Sequence, residues 1–109
     1  MSDTAGQIQT IFAEMPNRLN PTSAQGLDVI IQYDLSGDGG SQYYAVIANG
    51  ACAMNEGKHD SPTMTVSMAA SDFVDMIQGR LDGMSAFMSG KLRISGDMGL
   101  AMKLQSLFA

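Results

Sequence analysis

At 109 residues, with a formal net charge of −5 and a sequence pI of about 4.4, the chain is read as one domain, 1–109, long enough to bury a core of its own. An acidic balance with only six Lys and Arg, scattered in sequence, repels phosphate backbones and excludes nucleic acid as a partner; 45% hydrophobic against 16% charged residues excludes a disordered chain. Neither an apolar run long enough to span a bilayer nor a basic-then-apolar leader is visible, so the sequence predicts a soluble, cytoplasmic protein; its acidity disfavours a strongly anionic membrane surface as a permanent home and leaves transient membrane contact through an apolar patch open.

Residues 7 to 19 place Ile8, Ile11, Phe12, Met15 and Leu19 at spacings of three and four, the stripe of an amphipathic helix that Pro16 is expected to interrupt. Asn20 and Pro21 read as the cap and first residue of a short second helical turn that stops at Gly26. The period then changes to two: Leu27, Val29, Ile31, Tyr33 and Leu35 share one face of a strand, and Asp28, Gln32, Asp34 and Ser36 the solvent face. After Gly37-Asp38-Gly39-Gly40 a second strand is expected from Gln42 to Ala48. Asn49-Gly50 is a hairpin turn into a third, Ala51 to Glu56. A fourth strand, Thr63 to Met68, alternates Met64, Val66 and Met68 with Thr65 and Ser67, and four successive strands predict an antiparallel meander.

From Ser71 the helical period returns in Phe73, Met76 and Ile77, with Ser71 or Asp72 as cap and Gly79 as terminator. A short helix fits Asp82 to Ser89 and a fifth strand Lys91 to Ser95. Gly96 turns the chain, and Asp97 caps a final helix whose stripe is Leu100, Ala101, Leu104, Leu107 and Phe108. The order α-β-β-β-β-α-α-β-α predicts an α+β fold with helices on one face of the sheet.

Signatures of catalysis and metal binding are poor. Asp34 to Gly39 copies the first half of an EF-hand loop, but position twelve is Ala45 and strands flank it, so it reads as a hairpin turn. Gly90-Lys91 fails as a phosphate loop because Leu92 follows the lysine, and no nucleophile elbow or dinucleotide fingerprint is present. His59 is the only histidine, read as a solvent loop residue, and Asp72 and Asp75 as first-turn carboxylates favoured by the helix dipole. Cys52, the only cysteine, reads as a small buried apolar residue and excludes an intrachain disulfide. Ten methionines remain, seven of them in the second half, and they suit either an ordinary core or an adaptable apolar cavity.

Phe73 through Gly79, Ala86-Phe87-Met88-Ser89-Gly90-Lys91-Leu92-Arg93-Ile94-Ser95-Gly96-Asp97, and the closing Leu100-Ala101-Met102-Lys103-Leu104 carry a resemblance to the sterol carrier protein 2 (SCP2) sterol-binding domains. The order of elements agrees along nearly the whole chain. The resemblance implies a five-stranded, mainly antiparallel sheet covered by helices and enclosing a hydrophobic tunnel. The implied function is noncatalytic binding of fatty acid, fatty acyl-CoA, sterol or phospholipid, with no cofactor. The chain looks like a standalone bacterial-type member, and its end, Leu107-Phe108-Ala109, is not a peroxisomal tripeptide.

Laid on this sequence, the tunnel is expected to draw on Ile11 and Met15 of the first helix and on Phe73, Met76 and Ile77. Met84, Phe87 and Met88 are expected as one wall, with Phe87 buried, facing Met102, Leu104, Leu107 and Phe108 as the other. Lys91 and Arg93 are either solvated strand charges or contacts to a lipid carboxylate or phosphate. Burying an acyl chain is worth about 0.8 kcal/mol per methylene, so some ten methylenes, about 8 kcal/mol, reach micromolar affinity before ordering costs. An alternative is an accessory or interaction module serving lipid-metabolising enzymes.

Overall fold

The computed structural model describes residues 4–107. Its elements are α1 (Thr4–Arg18), β1 (Asp28–Ser36), β2 (Gln42–Ala48), β3 (Ala51–Glu56), β4 (Met64–Ala69), α2 (Ala70–Ile77), α3 (Gly83–Met88), β5 (Leu92–Gly96) and α4 (Met98–Leu107), in the expected order. α1 runs through Pro16 without a break, because a proline in the last turn removes only one backbone bond there while Met15 and Leu19 on either side are buried. Residues 20–26 form successive turns rather than a second helix, with the Asn20 side chain accepting from the Thr22 and Ser23 amides.

The five strands lie in the order β3-β2-β1-β4-β5. β1, β2 and β3 pair antiparallel through two hairpins, but β4 pairs parallel to β1, with Ile31 opposite Met64 and Leu35 opposite Met68. The expected four-strand meander is therefore broken. The loop after β3 returns the chain to the start of the sheet, where Thr63 pins β4: its amide donates to the Ile30 carbonyl (2.7 Å) and its hydroxyl accepts from the Ile30 amide (3.0 Å). β5 closes the other edge antiparallel to β4.

Register puts Ile31, Tyr33 and Leu35 on one face with Ala45, Ile47, Met64, Val66, Met68 and Leu92, and all of these are buried. Phe12 of α1 and Phe73 of α2 descend on that face. The Phe12 ring stacks on Tyr43 at 4.2 Å and on Phe73 at 5.3 Å, and both phenylalanines meet the Tyr33 ring. Such pairs add about 0.5–1.5 kcal/mol each beyond the area they bury.

β4 runs straight into α2, whose first residue is Ala70. Its cap position is Ala69, which has no side chain to donate or accept, so neither Ser71 nor Asp72 caps the helix. The Asp97 carboxylate accepts from the Leu100 amide at 3.1 Å, the cap that the sequence predicts, and Asp82, expected as the first residue of its helix, instead caps α3 by accepting from the Ser85 amide at 3.0 Å. α3 packs on β5, and α4 on β4 and β5. The end of α4 is tied to the end of the first helix, the Asn20 amide donating to the Leu107 carbonyl at 2.7 Å.

Candidate functional site

α1 and the C-terminal end of α2 leave an open groove of about 800 Å³ between them. Its apolar lining is Ile11, Met15 and Ile77, and its polar lining comes from Gln7, Gln9, Thr10, Glu14, Arg18 and Gln78. Helical geometry explains the pairing of the two chemistries. Gly6, Thr10, Glu14 and Arg18 form a row at spacing four beside the row of Ile11 and Met15, so one wall of the groove is wet and the other dry. Met15 is buried while lining the groove, which connects it to the core behind Phe12.

The sequence-predicted wall residues divide into three groups. Ile11, Met15 and Ile77 come together in this groove. Phe73 and Leu107 are buried in the core, and Met76 is half-buried against it. Met84, Phe87, Met88 and Met102 stand on the outside: Met88 is 80% exposed, Met102 85%, and Phe87, expected to be buried, 43%. α3 turns only Ala86 inward, and α4 turns Leu100 and Leu107 inward, so the methionines on the opposite sides of both helices face water. Phe108 lies outside the described residues, as does the side chain of Leu104.

The rim residues Thr10, Glu14, Arg18 and Gln78 escaped the sequence reading. Their signal was the polar row at spacing four, legible only once the apolar row beside it is known to face a second helix. Gln32 was also misread as solvent-facing. It is buried on the other face of the sheet, where its amide nitrogen donates to the Tyr43 and Gly57 carbonyls (3.2 and 3.1 Å) and its oxygen accepts from the His59 amide at 2.8 Å. His59 in turn holds the loop, its ring nitrogen accepting from the Ser61 amide at 2.9 Å and its ring meeting Tyr44 edge-on, so it is a loop-pinning rather than a free residue.

Burial, reinforced by Cys52, pushes the Tyr33 phenol well above its ordinary range, and burial also raises the Cys52 thiol. The Tyr33 hydroxyl has no hydrogen-bond partner among the described residues. No group of three or more His, Cys, Asp and Glu side chains gathers as a metal site among them, and no helix among them is long and apolar enough to cross a membrane.

The family model described as the SCP-2 sterol transfer family matches residues 8–109. Hydroxysteroid dehydrogenase-like protein 2 of Xenopus tropicalis is 32% identical over 107 residues, covering 97% of this chain and 26% of that protein, so the chain spans about a quarter of the curated relatives it matches. Among solved structures, the apo form of sterol carrier protein 2 from Yarrowia lipolytica superposes with a TM-score of 0.77 at 18% identity, covering 99% of this chain and 93% of its own. The solution structure of palmitated SCP2L2 from Aedes aegypti gives 0.74 at 24% identity, over 99% and 95%. These two likenesses share the fold.

Proposed function

The chain belongs to the SCP-2 sterol transfer family, whose domains are lipid-binding carriers, and we propose that it holds a single fatty acid, fatty acyl-CoA, sterol or phospholipid without catalysing a reaction. The observation that carries this reading is the α1–α2 groove, where three sequence-predicted residues from two helices converge over an apolar core. Its volume of about 800 Å³ falls in the range of roughly 300–1,000 Å³ typical of small-molecule sites. The apolar tail lies against Ile11, Met15 and Ile77 and reaches toward Phe73 and Met76 as the two helices part. A carboxylate or phosphate head group stays at the wet wall, where Arg18 offers a cation. That an Aedes aegypti relative of the same fold is described as palmitated fits an acyl cargo.

A fluorescent fatty acid titration tests it. Ile77→Asp places a charge at a partly exposed position, leaves the core intact, and is expected to weaken binding at least tenfold, whereas Lys58→Gln in the loop between β3 and β4, which does not line the groove, is expected to have no effect. Unchanged affinity in a folded Ile77→Asp protein refutes the groove as the cargo site.

A second reading, an accessory domain that presents lipid to an enzyme, is favoured by the match to only 26% of a dehydrogenase-like relative. In that case the same groove binds cargo, and the partner is a lipid-metabolising enzyme or a neighbouring domain.

A further inference from the structure

Among the described residues, Tyr33 is the largest fully buried side chain. Its ring meets Phe12 of α1 at 5.3 Å and Phe73 of α2 at 5.8 Å, and in the sheet it lies between Tyr43 and Val66. A phenylalanine would make the same contacts, so packing accounts for the ring and not for the hydroxyl, which is buried without a hydrogen-bond partner among the described residues. Native cores leave few such groups, because a donor taken out of water and given no partner keeps its full desolvation cost. Gln32, the neighbouring residue on the opposite face of the sheet, shows the usual outcome: its nitrogen donates to the Tyr43 and Gly57 carbonyls and its oxygen accepts from the His59 amide. Ser41, the other residue with an unpartnered buried hydroxyl, is only half-buried, in the loop between β1 and β2.

Phe12 and Phe73, the rings over Tyr33, belong to the two helices that bound the α1–α2 groove, and Met15, one turn after Phe12, is buried while lining it. An acyl chain that parts these helices from the groove side reaches the two rings and then the tyrosine. No Lys or Arg is buried among the described residues, so an ionised carboxylate or phosphate at that depth would be an unpaired buried charge. An uncharged hydroxyl or keto oxygen carries no such penalty and can accept the phenolic proton, which burial keeps on the tyrosine. Arg18, at the groove, follows Phe12 by six residues, about 9 Å along the helix at 1.5 Å per residue. A charged head and an inner oxygen thus meet the protein at two points separated by several methylenes.

We propose that Tyr33 selects cargo whose acyl chain carries an uncharged oxygen, a hydroxyl or keto group, part way along its length, the phenol donating to that oxygen while the charged head stays near Arg18. The inference rests on the α1–α2 groove being the cargo site. The tyrosine hydroxyl is then a cost in the ligand-free protein that an oxygenated chain removes and a plain chain leaves in place.

Displacement of a fluorescent fatty acid by stearic acid, and by hydroxystearic acids with the hydroxyl early, midway or late in the chain, tests the assignment. Wild-type protein is expected to bind one of the hydroxystearic acids about tenfold more tightly than stearic acid, the effect of one buried hydrogen bond gained. In Tyr33→Phe that ratio is expected to fall to about one, whereas Lys58→Gln keeps it. A ratio near one for every hydroxyl position in the wild type, or a preference that survives in Tyr33→Phe, overturns the proposal. So does a Tyr33→Phe protein less stable than the wild type in urea, because the hydroxyl then already has a partner. The groove is read separately: stearic acid bound by the wild type and equally well by folded Ile77→Asp refutes the groove as the cargo site whatever the hydroxyl preference, and a wild type that binds none of these acids overturns both.

Discussion

Tyr33 combines a buried ring with an unpartnered hydroxyl in the aromatic cluster of the core. A buried hydroxyl without a hydrogen bond costs about 1–3 kcal/mol of desolvation, so Tyr33→Phe, which keeps the ring contacts to Phe12 and Phe73, is expected to raise unfolding free energy by about 1 kcal/mol in a urea titration. A loss of stability instead would mean that the hydroxyl has a partner in solution. The pH dependence follows from the same group. Its folded pKa is raised, so the unfolded chain releases the phenolic proton first: the contribution is complete below the ordinary tyrosine range, near pH 10, and declines as pH climbs beyond it. Tyr33→Phe is accordingly expected to flatten the alkaline limb of the stability curve. Alternation along β1 made Tyr33 legible as a core residue. The same alternation misassigned Gln32, because its partners, Gly57 and His59, are 25 and 27 residues away and no local pattern announces them.

At the scale of elements, the corner between β5 and α4 tolerates little change. Gly96 has φ +99°, and a Cβ there would come within 2.5 Å of the Thr63 carbonyl oxygen and 2.8 Å of the Met64 Cα. The same Thr63 carbonyl accepts from the Asp97 amide at 3.1 Å, so the close approach holds α4 to the sheet. Gly50 also has a positive φ, +75°, but open space around it. Gly96→Ala is expected to cost more than the roughly 1–3 kcal/mol of backbone strain alone, and clearly more than Gly50→Ala, when both are compared by thermal unfolding; equal losses would refute a tight corner. Turn chemistry and capping were readable here, since Asn49-Gly50, Gly96 and Asp97 each act within a few residues. Strand partnership was not, because parallel β1–β4 pairing rests on Thr63 meeting Ile30 across the sheet. Nor was the facing of α3: six residues with Met84, Ala86, Phe87 and Met88 on all sides give no unique stripe, and the small Ala86 went inward because it lets the helix approach β5 closely.

Across the whole molecule, the helices enclose the apolar face of the sheet, with α1 and α2 sharing the aromatic core and α4 joined to α1 through Leu107 and Asn20. The tie matters for how cargo would be admitted. Leu107 is fully buried and its carbonyl is bonded, so the end of α4 is anchored, whereas α1 and α2 meet across a groove already open to water. The sequence resemblance favoured Met84, Phe87 and Met88 facing Met102, Leu104 and Phe108; the outward methionines and the convergence of Ile11, Met15 and Ile77 favour the other end of the helical layer. Hydrogen exchange separates the two, because amides that open locally are protected when a ligand fills the space beside them. Saturation with a long-chain fatty acid is expected to slow exchange most in 8–18 and 71–78, the helices bounding the groove, and little in β3, the exposed edge strand. Added protection confined to 98–107, with none in α1 or α2, would move the cargo beneath α4 and leave the α1–α2 groove as a surface feature.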